Sequence, residues 1–200
     1  PDADPPGRVA RVGDTFGQVW LYSPENGEWV SAQRNRPMTT GDRIATDPGA
    51  RAELSIGSTS LRLDSDTELE VLNLDDNQVA LRLHEGALAA RIRDVRAIGD
   101  FELSTEEGQM RVQSAGRYRF DRRDRASHLT VYAGQAQFEG PGNGLTLASG
   151  QRGEFWFEPN GAIQYSITDP VRDAFAGWIA ERDRAEDRRI AAVPRYVSPE

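Results

Sequence analysis

Alternation of apolar and polar residues with period two is the feature of this 200-residue chain that most limits its fold. From about residue 8 to residue 167, short alternating segments are separated by Gly, Asp, Asn or Pro. Because successive side chains of a strand point to opposite faces, each segment presents one apolar and one polar face. Turn residues recur at intervals near the roughly 8 to 12 residues of all-β domains, so the sequence predicts many short strands.

The stricter alternations define a candidate core of apolar residues that share one face of each predicted strand. Its members are Leu61, Leu63, Leu69, Val71, Val79, Leu81, Leu83, Leu88, Ala90, Ile92, Tyr118, Phe120, Leu129, Val131, Ala136, Phe138, Leu145, Leu147, Phe155, Phe157, Ile163 and Tyr165. The connections between them are short, which favours hairpins of neighbouring strands. We predict an all-β domain over residues 1–167, with mostly antiparallel strands arranged as a sandwich or as a solenoid-like roll.

A change of period near residue 168 predicts one C-terminal amphipathic helix over residues 168–190. Asp169 can cap it, and Pro170 suits the first helical position. Apolar residues then follow the i, i+4, i+7, i+8 spacing of a single helix face, which we expect to dock on the β domain: Val171, Phe175, Trp178 and Ile179. The second half is charged all round and is expected in solvent, and residues 191–200 are expected to form a linker to a further region.

Composition excludes several classes of function. The net charge of -8 argues against a chain that wraps nucleic acid, since phosphates require a positive face. The absence of Cys excludes disulfides, thiolate metal sites and a cysteine nucleophile. No run of about 18 apolar residues occurs, so we expect no membrane span in this chain.

Residues capable of catalysis occur only in contexts that favour a structural role. His84 and His128 lie in or beside alternating strands and lack the paired spacing of metal ligands. We therefore interpret both as surface histidines and expect no catalytic residue and no metal-binding residue. We also expect no cofactor and no cofactor-binding residue.

Adjacent carboxylates at 75–76 and 106–107 are the remaining candidates for an enzyme, such as a glycosidase with two carboxyls across a cleft. Both pairs lie in segments rich in turn residues, which favours strand connections. The expectation is that the chain is not an enzyme, and a weak calcium contact at Asp75 is left open.

Arginines interleave with aromatic residues in one segment, as they do on some nucleic-acid surfaces. They are Arg117, Arg119, Arg122, Arg123 and Arg125. Tyr118 and Phe120 belong to the core set, so Arg117 and Arg119 point the other way. We interpret this run as a solvated face.

Aromatic residues provide the better indication of a binding surface. The candidates for contact with a partner are Trp20, Tyr22, Trp29 and Trp156, in segments where consecutive bulky residues place apolar area on both faces of the sheet. Contact with the predicted helix at Phe175 and Trp178 is the alternative that we favour, because the apolar stripe of that helix must be buried.

Seven segments, in this order, resemble the FecR-type domain over residues 38–157. They are GDRIAT, GARAELSIGSTSLRL, ALRLHEGALAARIR, DFELST, GQMRVQSAGRYRF, TVYAGQAQFEG and LASGQRGEFWF. The resemblance implies an all-β extracytoplasmic domain of the kind found in bacterial iron-uptake regulators. There it faces outward from the inner membrane and receives a signal from an outer-membrane transporter.

Three departures from that regulator lead us to expect no sigma-factor control: we expect neither its helical anti-sigma domain nor its membrane helix, and Ala115-Gly116-Arg117-Tyr118 replaces a Gly-Thr-x-Phe step. The chain looks more similar to exported, stand-alone FecR-like proteins of proteobacteria. We therefore expect a periplasmic or secreted, non-catalytic binding or scaffolding module of the cell envelope. Its expected partner is a protein, bound through a sheet face or edge. Carbohydrate or peptidoglycan binding, and a FecR-type sensor role, are the alternatives.

Overall fold

The computed structural model describes residues 8–98 and 100–193 and confirms the all-β fold. Within this part of the chain there are 17 strands and two helices. In chain order they are β1 (Ala10–Phe16), β2 (Val19–Ser23), β3 (Glu28–Ser31), β4 (Pro37–Met38), β5 (Arg43–Thr46), β6 (Arg51–Ile56), β7 (Thr59–Leu63), β8 (Glu68–Leu74), β9 (Gln78–Ile92), α1 (Val95–Ile98), β10 (Asp100–Ser104), β11 (Gln109–Val112), β12 (Gly116–Arg123), β13 (Ala126–Ala133), β14 (Gln135–Gly140), β15 (Asn143–Ala148), β16 (Gln151–Phe157), β17 (Ile163–Thr168) and α2 (Ala174–Ala192).

The strand pairings form two layers that share β9. The first sheet has the order β4-β1-β6-β7-β9-β12-β13-β16-β17. The second sheet has the order β3-β2-β5-β8-β9-β10-β11-β14-β15. Among the described strands only β9 and β10 pair in parallel, which confirms the prediction of a mostly antiparallel fold.

Successive hairpins are added to the two layers in turn. The β10–β11 hairpin joins the second sheet, β12–β13 the first, β14–β15 the second and β16–β17 the first. The layers face each other as in a sandwich, while the chain advances along them as in a roll. The fold therefore combines the two arrangements that the sequence allowed, a sandwich and a solenoid-like roll.

Strand β9 passes from one sheet to the other at Gly86. Its first half pairs with β8 and β10, and its second half, from Gly86 onward, pairs with β12 and in part with β7. Gly86 has φ of +101°, and a Cβ atom there would lie 2.2 Å from Oγ1 of Thr67. That hydroxyl also accepts the N–H of Ala87 at 3.0 Å. The crossing point therefore requires glycine.

Aromatic contacts join the two layers. Phe101 of the second sheet stacks on Phe120 of the first, with ring centroids 6.2 Å apart. Most of the candidate core is buried as predicted, including every member from Leu61 to Ile92. Phe157 and Tyr165 are exceptions, 41% and 38% exposed, because they lie near the free edge of the first sheet. Leu145 is only partly buried.

The β unit ends at Pro170, and the second unit, which begins at Val171, contains helix α2. Its N-cap is Asp173, whose Oδ1 accepts the N–H of Ala176 at 2.8 Å. The predicted cap at Asp169 and helix start at residue 168 are therefore wrong, since Asp173 offers a carboxylate with the required geometry. Val171 precedes the helix, so it does not belong to the apolar helix face in which the sequence placed it.

Within α2, Phe175 and Trp178 stack with ring centroids 6.0 Å apart. Docking of the helix through Phe175, Trp178 and Ile179 stays a prediction. Residues 194–200, most of the predicted linker, lie outside the described residues. Neither helix described in the structure is long and apolar enough to cross a membrane.

Candidate partner-binding surface

Three of the four candidate aromatic residues lie on one outer face, at the β2–β3 hairpin of the second sheet. Val19 and Leu21 of β2 are buried in the core, so Trp20 and Tyr22 point away from it. Trp29 of β3 is the direct partner of Tyr22, and the two ring centroids are 5.4 Å apart at an angle of 43°. This places apolar area on both faces of β2, as the sequence indicated.

Exposure and polar contacts differ between these rings. Trp29 is 41% exposed, whereas Trp20 is half-buried and donates its Nε1–H to Oδ1 of Asp47 at 3.1 Å. Trp156 lies elsewhere, on β16 of the first sheet between Ala126 and Gln164. The structure therefore brings Trp20, Tyr22 and Trp29 onto one face of adjacent strands, and Trp156 belongs to a different surface.

Strand β3 is an open edge of the second sheet. The N–H of Ala32 donates to the carbonyl of Val19 at 2.8 Å, so Ala32 and, by alternation, Val30 direct their backbone groups toward β2. The backbone groups of Trp29 and Ser31 must then point outward, where no described strand pairs with them. All four residues of β3 are exposed. Such an edge is a template for an added strand.

A cleft of about 370 Å³ lies beside this edge. It runs between the β2–β3 turn and the segment 36–42, and Tyr22, Pro24, Val30 and Pro37 line part of it. Its charged lining residues are Glu25, Glu28, Arg36 and Asp42, so carboxylates outnumber cations three to one. A cationic or polar side chain beside an apolar one would match this lining.

Charged residues continue the outer face from Tyr22 across the next strands. Arg43 is the cross-strand neighbour of both Tyr22 and Glu70, and its Nη2 lies 3.2 Å from Oε1 of Glu70. The same carboxylate oxygen lies 2.8 Å from Nε2 of His84. His84, which is half-buried, thus contacts the Arg43–Glu70 ion pair on the outer face of the sheet.

The carboxylate pair at 106–107 has a role that the sequence did not reveal. Glu107 is 1% exposed and accepts a hydrogen bond of 2.6 Å from Oγ of Ser127. Nε of Arg122 lies 3.2 Å from Glu107, and its Nη2 lies 2.7 Å from Glu106. Both carboxylates bind one guanidinium, so they do not face each other across a cleft as a glycosidase requires.

Asp75 organises the β8–β9 turn. Its Oδ1 accepts the N–H groups of Asn77 and Gln78 at 2.8 and 2.9 Å, and Asn73 donates to its Oδ2 at 3.1 Å. The hydrogen bond from Asn77 is the main cause that lowers the pKa of Asp75. Over residues 8–98 and 100–193, no cluster of three His, Asp or Glu side chains is arranged to hold a metal ion.

The arginine run is only partly solvated. Tyr118 and Phe120 are buried, as their parity predicted. Arg119, however, is 4% exposed and binds the buried carboxylate of Asp121 through hydrogen bonds of 2.9 to 3.2 Å. The prediction of a solvated face is wrong at Arg119, because Asp121 lies on the same face and neutralises its charge.

Comparison with known proteins identifies the β region. Residues 42–137 match the model of the FecR protein family. This part of the chain is similar to the FecR family. This confirms the resemblance given by the seven segments. The aromatic edge at Trp20–Trp29 precedes the matched range, so the candidate surface lies on strands that flank it.

Solved structures share the fold of this chain. Two crystal structures of a candidate anti-sigma factor from Parabacteroides distasonis ATCC 8503, at 2.50 and 1.65 Å resolution, superpose with TM-scores of 0.54 at 15% and 14% identity. Each match covers 64% of this chain, and the chain spans only 60% of the length of those proteins. At this identity the likeness shows a common fold. A search of curated proteins gave no significant match.

Proposed function

We propose that this chain is a non-catalytic binding module of the bacterial cell envelope, which recognises a protein partner through the β3 edge and the aromatic face beside it. The open edge at Trp29 and Ser31 is the observation that carries the proposal. The FecR-like domain and the anti-sigma-factor neighbours fit a regulatory or sensor role. A periplasmic or secreted location is part of the proposal and rests on the family resemblance.

Recognition would proceed by addition of one strand of the partner to β3. Trp29 and Ser31 each offer an outward N–H and an outward C=O, so the added strand gains up to four backbone hydrogen bonds. Partner side chains on the outer face would then contact Trp29. Those on the other face would lie near Val30 and the cleft. Affinity comes from the backbone, while the two faces supply selectivity.

Charge in the cleft narrows the class of partner. Glu25, Glu28 and Asp42 line the same cleft as the apolar side chain of Val30, with Arg36 as the cation among the lining residues. A partner strand that carries a Lys or Arg next to an apolar residue would satisfy both features. The net charge of -8 on the whole chain would add long-range attraction for such a partner.

Site-specific photocrosslinking in cells tests this proposal. A photoreactive amino acid at Trp29 should give a discrete adduct with one protein, whereas the same group at Leu72 should not. Leu72 is a matched control, because it is 40% exposed on β8 of the same sheet. The adduct should be lost when Ser31→Pro is combined with the Trp29 probe, since that substitution removes an outward N–H of the edge strand.

The Ser31→Pro variant should keep the fold, since no described strand pairs with the lost N–H and the hydroxyl that is removed accepts an exposed hydrogen bond from Gln18. Its melting temperature should stay close to that of the wild type. If Trp29 and Leu72 give the same adducts, or if Ser31→Pro leaves the Trp29 adduct intact, strand addition at β3 is wrong.

Carbohydrate or peptidoglycan binding is the second candidate, favoured by the exposed ring of Trp29 beside Tyr22. Sugar rings stack on aromatic faces of this kind. Titration with soluble peptidoglycan fragments should then change the tryptophan fluorescence of the wild type and not that of Trp29→Ala. An unchanged wild-type signal would exclude this function.

A further inference from the structure

Strand β17 is the free edge of the first sheet at the opposite end from β4. It pairs with β16 on one side, and among the described strands none lies on its other side. Tyr165 and Ile167, on its inner face, are 38% and 47% exposed. This edge is separate from the β3 edge and plays no part in the function proposed above.

Hydrogen bonds at the start of β17 fix the direction of its backbone groups. The N–H of Ile163 donates to the carbonyl of Pro141 at 2.9 Å, and Nδ2 of Asn143 donates to the carbonyl of Ile163 at 3.4 Å. Both backbone groups of Ile163 therefore point away from β16. By the alternation of an antiparallel ladder, the backbone groups of Tyr165 and Ile167 also point away from β16, where none of the described strands pairs with them.

The composition of β17 lacks the usual protection of an edge strand. Its sequence, IQYSIT, contains no charge, no Pro and no Gly, and four of its six residues are β-branched or aromatic. Native edges commonly carry a charge, a proline or a bulge that prevents pairing with another chain. An uncharged edge is notable in a chain with a net charge of -8, because copies of it otherwise repel each other.

We infer that two copies of this chain pair through β17, antiparallel, about a two-fold axis at Ser166. In this register Tyr165 of each copy lies opposite Ile167 of the other, and the two pairs exchange four backbone hydrogen bonds. Ser166 faces Ser166, and Gln164 faces Thr168. Each face of the first sheet continues across the axis, apolar beside apolar and polar beside polar.

Self-complementarity selects a second copy as the occupant. The Ser166 register uses the outward groups of Tyr165 and Ile167 and leaves Ile163 to its bonds with the β14–β15 turn. A register centred on Tyr165 would need the groups of Ile163, which are already bonded. Two-fold pairing also closes on itself, so it yields a dimer instead of a fibre.

Cysteine scanning tests both the pairing and its register, because the chain has no cysteine of its own. In the Ser166→Cys variant the two thiols would lie on directly opposed residues, with Cα atoms about 4.5 Å apart, within disulfide range. Gln164→Cys is the matched control on the same face. Its two thiols would be four residues apart along the strand, about 13 Å, which is too far for a disulfide.

Mild oxidation should therefore convert most of Ser166→Cys to a covalent dimer on a non-reducing gel and leave Gln164→Cys monomeric. Sedimentation equilibrium of the wild type should show mass rising with concentration from 22.1 kDa toward twice that value. Ile167→Pro should remain monomeric, because it removes an outward N–H that the monomer does not use. Ser31→Pro, at the β3 edge, should dimerise like the wild type.

Three results would overturn the inference. One is a wild type that stays monomeric at the highest soluble concentration. The second is equal disulfide formation by Ser166→Cys and Gln164→Cys. The third is open-ended assembly abolished by Ser31→Pro, which would indicate pairing of β17 with the β3 edge. Only the third result would also bear on the binding of a partner at β3.

Discussion

The rings of Phe138 and Phe155 stack with centroids 3.7 Å apart and planes 16° from parallel, one ring from each sheet. Phe138 lies on β14 and Phe155 on β16, and both are almost fully buried. A Cβ atom on Gly153, the residue two before Phe155, would lie 2.7 Å from the Phe155 ring. The absence of a side chain at Gly153 therefore makes room for the contact that joins the two layers near β17.

Loss of the contact between Phe138 and Phe155 should destabilise the fold. Phe155→Ala should lower the free energy of unfolding by about 3–5 kcal/mol, because it removes a buried ring and leaves a cavity. Phe157→Ala, two residues later on the same strand, should cost about 1 kcal/mol or less, since that ring is 41% exposed. Urea denaturation of both variants measures the difference, and equal costs would contradict the assignment of Phe155 to the core.

Replacement of Gly86 should destabilise the fold far more than replacement of a glycine whose Cβ position is open. Gly86→Ala should cost about 3 kcal/mol or more, because the new Cβ would collide with Thr67 at a positive φ. Gly57→Ala is the control: it also has positive φ, but no atom lies within 4 Å of its Cβ position. We expect about 1–2 kcal/mol there. Similar melting temperatures for the two variants would refute the role of Gly86 at the sheet crossing.

The buried carboxylate of Glu107 should contribute more to stability than the exposed carboxylate of Glu106. Glu107→Ala should lower the free energy of unfolding by about 3 kcal/mol, since Ser127 and Arg122 would lose a buried partner. Glu106→Ala should cost about 1 kcal/mol or less, because the Glu106 side chain is 67% exposed. Chemical denaturation at neutral pH compares them, and a larger effect at Glu106 would reverse this assignment.

His128 should make stability depend on pH. Burial, followed by the charge of Arg152, lowers the pKa of His128 from its ordinary value of 6.5. The unfolded chain therefore binds this proton more readily, so the contribution of His128 is complete above pH 6.5 and is lost as the pH falls below it. His128→Gln should reduce the stability difference between pH 7.5 and pH 5.5, measured by urea denaturation. An unchanged difference would show that other groups cause it.

Most of the strands and their buried faces could be predicted, because period two is a local property of the sequence. Leu61, Leu83 and Phe120 were placed in the core from their spacing alone, and all are buried. Buried charges could not be predicted this way. Arg119 and Glu107 look like surface residues in a linear sequence, and their partners become apparent only when neighbouring side chains are placed in space.

The candidate surface was predicted in part. The sequence offered Trp20, Tyr22, Trp29 and Trp156 together, and the first three share one face because they belong to a single hairpin. Trp156 was chosen on the same pattern of consecutive bulky residues and lies on the other sheet. The helix start was misplaced for a similar reason, because Asp169 and Asp173 are equivalent as caps until the backbone geometry distinguishes them.

By itself the sequence determined the class of secondary structure, the inward face of most strands and the resemblance to the FecR-type domain. These follow from alternation and short-range motifs, which any segment carries independently of the rest. Only the tertiary structure decided which hairpin joins which sheet, that β9 changes sheets at Gly86, and that β3 and β17 are open edges among the strands described. Those features depend on pairing between residues far apart in the chain, and a local pattern contains no information about its distant partner.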